Sequence, residues 1–284
     1  MAARPVSKSC QEYARGVAGG LLFSLPLLYT MESWWTGFTA SPEALIVYVL
    51  GTFALLLGYN RYAGIREDAT WAEVVIDSVE EMGLGILIAG GFLWLLERIS
   101  LAMPLAEIAG KVIIEAMAVA IGVSVGTAQL GGGEQDTNNP DTQDHWAGED
   151  SSEEYRFGGQ MVIAFCGAVL FAANIAPTEE VVMIATGMPT WNVLGLALLS
   201  MILGAFILYY SNFIGADRVM ISGDVIDIIF GVVIMYAIAL LASASMLWFF
   251  DRFEGLALIT CVSQTVVLGV ASTLGASAGR LLLQ

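Results

Sequence analysis

Carboxylates set inside apolar runs are the residues of this chain whose type and spacing could do chemistry. Glu32 lies in SLPLLYTMESWW, after Pro26 and just before the Trp34–Trp35 pair, and NIAPTEEVVMIATG places Glu179 and Glu180 after Pro177. A carboxylate in hydrocarbon is costly, so it is expected to face a cavity or a partner. A proline removes a backbone donor and breaks a helix, which frees carbonyl oxygens beside these acids. Two segments that each put Glu after Pro read as a cation site, with Glu32 and Glu180 as the metal-ligating pair and Glu179 beside them. Hard oxygen ligands suit Ca²⁺, Mg²⁺, Na⁺ or H⁺ rather than soft metals. The competing reading is a set of interfacial acids near a loop.

Further acids follow helical spacing. Glu73, Asp77 and Glu80 share one face by an i, i+4, i+7 pattern, with Glu81 on its edge, and Asp224 and Asp227 open a later apolar segment in the same way. Asp77, Glu80 and Asp227 suit an acidic inner vestibule that concentrates cations. Acids that complement a helix N-terminus are the alternative, and the better one for Glu73 and Asp224. Glu107, Lys111 and Glu115, spaced by four, can form a ladder in which Lys111 and Glu115 make a buried ion pair. GVSVG (Gly122 to Gly126) is echoed by GASAG (Gly275 to Gly279). A serine-hydrolase elbow needs a strand-to-helix turn and a histidine base, and neither is expected here. Glycines four apart suit close helix packing instead, with the two helices meeting across an axis between the halves.

Other chemistries are excluded by what is scarce. The one histidine, His145, lies in a polar loop, and Cys10, Cys166 and Cys261 form no CxxC spacing. DTNNPDTQD departs from a calcium-binding EF-hand loop, because Asp141 stands where glycine is required. Eleven Lys and Arg against 27 Asp and Glu give a net charge of −16, which opposes nucleic-acid binding. No enzyme is expected, and no cofactor beyond a bound cation.

The elements that must carry these residues follow from composition. The chain has 284 residues, of which 57% are hydrophobic and 13% charged, against about 45–50% and about 25% in soluble domains. It is expected to be an all-α polytopic membrane protein. A spanning helix needs about 20 apolar residues, and eight segments qualify: 16–38, 43–60, 72–98, 104–130, 158–187, 190–212, 222–250 and 255–281. Segment 158–187 is too long for one crossing and is expected to break near Pro177. Residues 1–15 form an N-terminal segment, 16–130 a first four-helix repeat, 131–157 an acidic linker, and 158–284 a second repeat. Trp94, Glu97 and Arg98 match Trp248, Asp251 and Arg252, and Gly122, Ser124 and Gly126 match Gly275, Ser277 and Gly279. An even number of spans per repeat makes the repeats parallel. With the N-terminus inside, eight Lys and Arg fall inside and three outside, so both termini and the linker are expected in the cytoplasm. The expected location is the cell inner membrane, with the bilayer and an inorganic cation as partners and homo-oligomerisation left open.

At SLPLLYTMESWW and NIAPTEEVVMIA the chain resembles an uncharacterised family of bacterial integral membrane proteins, over nearly its whole length. That resemblance implies no activity. NIAPTE is also similar to the helix-breaking carboxylate repeats of the cation/calcium exchangers, which use inverted five-helix repeats. Parallel four-helix halves depart from that plan, so only the idea of a broken helix with Glu holding a cation carries over. The expected function is a cation channel or transporter; the alternative is a non-transporting scaffold or partner subunit of a membrane complex.

Overall fold

The structure, a computed structural model, describes residues 6–63, 70–129, 153–210 and 225–281. The described residues form ten helices: α1 Val6–Leu28, α2 Met31–Thr39, α3 Pro42–Ala63, α4 Trp71–Leu95, α5 Leu105–Gln129, α6 Glu153–Ile175, α7 Glu179–Gly187, α8 Thr190–Tyr210, α9 Val225–Phe249 and α10 Leu258–Leu281. No strand occurs among them. Helix is the only open-ended way to satisfy every backbone polar group in an apolar medium, and the long apolar runs take it. Seven of the helices are long and apolar enough to cross a membrane; the apolar part of α1, Tyr13–Leu28, is shorter.

The helix ends follow local chemistry. Thr70 accepts from the Glu73 backbone N–H while Glu73 accepts from the Thr70 N–H at 2.9 Å, a reciprocal cap that starts α4. α4 and α9 stop alike: Glu97 and Asp251 sit at φ of 57° and 55°, and the next N–H reaches back five residues, from Arg98 to Leu93 and from Arg252 to Leu247.

Segment 16–38, read as one span, is two helices. Pro26 lies inside α1, which ends two residues later, and the nine-residue α2 follows after Tyr29 and Thr30. Segment 158–187 breaks at Pro177, as its length required, leaving α6 and the nine-residue α7. At 1.5 Å per residue, α2 and α7 are about 14 Å long, too short to cross a bilayer.

α5 is the most enclosed helix. Ile114 through Val125 are buried along it, and it packs on α1, α2, α3 and α4. α10 packs on α6, α7, α8 and α9, and α6 touches α3, α1 and α5. The glycine pairs serve contacts different from those expected. Gly122 and Gly126 lie against Gly19 and Gly20 of α1, and Gly275 lies against the Gly167 carbonyl of α6. Each set therefore packs its helix on α1 or α6, and α5 and α10 do not meet through them. The surroundings of Gly279 and most of the acidic linker 131–157 lie outside the described residues.

Candidate functional site

Two carboxylates on neighbouring helices stand out, one buried and one half-buried. The first is Glu115 of α5, with no solvent exposure. It is reached by α2, which runs antiparallel along α5. The two backbones cross at Gly37 and Gly110: a Cβ added to Gly110 would fall on the Gly37 carbonyl, and one added to Gly37 would come 2.6 Å from the Lys111 Cα. Only glycine on both sides permits that approach. One turn further, it lays Ser33 on Glu115. The Ser33 hydroxyl lies 2.7 Å from Glu115 Oε1, 2.7 Å from the Thr30 carbonyl and 3.1 Å from the Leu27 carbonyl, so its single hydrogen chooses among three acceptors. Glu115 Oε2 is buried with no hydrogen-bond partner.

Lys111 does not close on Glu115. Its ammonium bonds Glu107 Oε1 at 2.6 Å, donates to the Arg98 carbonyl at 3.4 Å and lies over the Phe38 ring. The reason is where the helix surface leads. Glu107 and the Arg98 carbonyl lie toward the start of α5, where Glu107 keeps 30% of its side chain exposed. Glu115 faces inward to Ser33.

The second carboxylate is Glu81 of α4. Asn60 of α3 donates to Glu81 Oε2 at 2.7 Å and to Ser78 Oγ at 3.1 Å. Ser124 of α5 donates to Asn60 Oδ1 at 3.0 Å. Asn60, Ser78 and Ser124 are buried. Three helices thus contribute a carboxylate, an amide and two hydroxyls to one cluster of hard donors. No Lys or Arg pairs with Glu81 or Glu115 among the described residues. α4 and α5 run antiparallel, with Gly85 against Ala116 and Ala120, and each Glu lies ten residues in from the start of its helix. At 1.5 Å per residue each is about 15 Å from the start of its own helix.

The other expected residues are dispersed. Glu32 is half-buried in the first turn of α2, and Glu180 is exposed in the first turn of α7. Glu179 is 60% exposed and pairs with Arg252 at 2.7 Å, while the Arg252 guanidinium also donates to the Pro177 carbonyl. Among the described residues no three His, Cys, Asp or Glu side chains converge as a metal would require. Asp77 is half-buried, and Glu80 is exposed and accepts from the Tyr13 hydroxyl at 3.3 Å. The surroundings of Asp227 lie outside the described residues.

Between α9 and α10, Ser277 donates to the Met235 sulfur at 3.2 Å. Ser33, Asn60 and Ser124 had no signal in periodicity. An Asn near the end of one apolar run and an acid on the edge of a face in the next were the traces available.

Long apolar helices around buried polar clusters define an integral, polytopic helical membrane protein. The family model described as "Putative integral membrane protein (DUF2391)" matches residues 12–283, and the chain belongs to that family. No curated protein matches it, and no solved structure does.

Proposed function

We propose that the protein moves a hard cation (H⁺, Na⁺, Ca²⁺ or similar) across the membrane, using Glu81 and Glu115 as intramembrane carriers. In this reading α1–α5 and α6–α10 are parallel repeats with eight crossings: α1, α3, α4, α5, α6, α8, α9 and α10. Both termini and the linker lie inside, and α2 and α7 lie at the outer side. The order of helix lengths supports it, 23, 9, 22, 25 and 25 residues followed by 23, 9, 21, 25 and 24. So do the like ends of α4 and α9 at Glu97 and Asp251.

One observation carries the reading. By the register of the helix starts, Glu81 corresponds to Met235, Ser124 to Ser277, Glu115 to Leu268 and Ser33 to Val181. The second set makes its joint with a thioether and buries Leu268 and Val181 in the core. In this reading the second repeat does without carboxylates at these places, and an acid inside the membrane with no basic partner is costly to keep. Function is the remaining reason to keep two. Glu32, Glu179 and Glu180 then flank the outer mouth, and Asp77, Glu80 and Asp227 the inner one, where acids raise local cation concentration.

The test is cation flux in proteoliposomes, measured with pH- and ion-sensitive dyes. Glu81→Gln and Glu115→Gln should each lose flux while eluting as folded protein, and Glu180→Gln should retain most of it. Wild-type rates in both core variants would remove these carboxylates from the pathway. A wild-type protein that moves no cation would leave the partner-subunit reading.

A further inference from the structure

The side chain of Asn174 makes a contact that no packing requirement explains. Asn174 lies near the end of α6, yet its amide engages α1 at the turn that contains Pro26. Its Oδ1 accepts from the Leu27 N–H at 3.1 Å, and its Nδ2 donates to the Phe23 carbonyl at 3.0 Å. Leu27 and Phe23 are four apart, so these are the donor and acceptor that pair with each other in an ordinary α-helix. One amide bridges that rung from outside. The other Nδ2 hydrogen goes to the Leu170 carbonyl at 2.7 Å, so both donors are used and the orientation of the amide is set. The contact falls on the rung next to a proline that lacks its own N–H, where the helical ladder is already short of a bond.

The rung is connected to the buried acid. Leu27 is the residue whose carbonyl accepts from the Thr30 N–H at 2.8 Å, the bond that ends α1. The same carbonyl lies within reach of the Ser33 hydroxyl, which also reaches Glu115. We propose that Asn174 is a positioning residue, through which α6 fixes the end of α1 and thereby holds Ser33 on Glu115. A shift of α6 against α1 is then felt at Glu115 through Leu27 and Ser33, and both states of the joint are hydrogen-bonded: the rung closed on itself, or closed through the amide. The inference rests on the Ser33–Glu115 bond and not on cation transport.

The experiment is infrared difference spectroscopy of the full chain in lipid. The Glu115 carboxyl band is assigned by its loss in Glu115→Gln. Ser33→Ala should shift that band. Asn174→Leu, which fills the same space without either bond, should shift it in the same direction by a similar amount. Combining the two should add nothing, because both break one chain of contacts. Asn174→Val, smaller and equally unable to bridge, replaces the leucine variant if the latter does not fold. A band that stays put in the folded Asn174 variant while Ser33→Ala moves it overturns the proposal, as does a double variant whose shift is the sum of the two. Because no flux is read, a protein that transports nothing leaves this test intact.

Discussion

Replacing Gly110 with alanine tests the geometry that brings Ser33 to Glu115. The new methyl group would land on the Gly37 carbonyl oxygen, and in the reverse direction a Cβ on Gly37 would come 2.6 Å from the Lys111 Cα. Both neighbours are backbone, so no side chain can rotate away, and α2 must lift from α5. Overpacking of this kind costs about 1–3 kcal/mol. Lifting α2 also parts Ser33 from Glu115, now 2.7 Å apart. Since Glu115 Oε2 is already without a partner, the loss leaves a buried carboxyl with no bond, about 1–3 kcal/mol more. Alanine returns roughly 0.5–1 kcal/mol of helix propensity. The net expectation is a destabilisation of about 1–5 kcal/mol. The control is Gly91→Ala, on α4, where an added Cβ meets nothing within 4 Å; it should be neutral or gain roughly 0.5–1 kcal/mol. Unfolding of both variants in mixed detergent, followed by circular dichroism, gives the comparison. Equal stability of the two would mean that α2 and α5 are not in backbone contact, and the placement of Ser33 would fall with it.

Two further outcomes follow from buried polar groups. Glu81→Gln keeps an acceptor for the Asn60 amide and should change stability by less than about 1 kcal/mol, whereas Glu81→Met strands that N–H and should cost about 1–3 kcal/mol more in the same titration. Gln264 of α10 is fully buried and neither of its amide atoms has a partner among the described residues, so Gln264→Leu should stabilise by about 1–3 kcal/mol. A loss of stability there would mean that the amide is satisfied in the membrane.

The membrane class and most helix positions were legible because they rest on composition and run length. The break at Pro177 was legible for the same reason: 158–187 is too long for one crossing. The break after Leu28 was harder, since 16–38 has the length of a single tilted span and Pro26 is tolerated inside α1. The ladder Glu107, Lys111, Glu115 pointed to a Lys111–Glu115 pair, whereas Lys111 pairs with Glu107. Spacing cannot say that Lys111 turns toward Glu107 while Glu115 turns to Ser33, which is 82 residues away. Asn60 and Ser124 were invisible for that reason too: their bonds join α3, α4 and α5 across distances that no local period encodes. Gly122, Gly126 and Gly275 lie at close helix contacts, but the helices they meet are set by tertiary arrangement that spacing does not encode.

The enclosure of α5 has a consequence for how the protein is made. α5 carries Glu107, Lys111 and Glu115, the most polar side chains of any helix so deeply surrounded. Its main neighbours α1, α2, α3 and α4 all precede it in the chain. Because synthesis runs from the N-terminus, the ribosome has released every one of those surfaces before α5 emerges. The segment least able to sit alone among lipid tails is thus the last of the five to arrive, after every helix that encloses it, and Ser33 precedes Glu115 out of the ribosome.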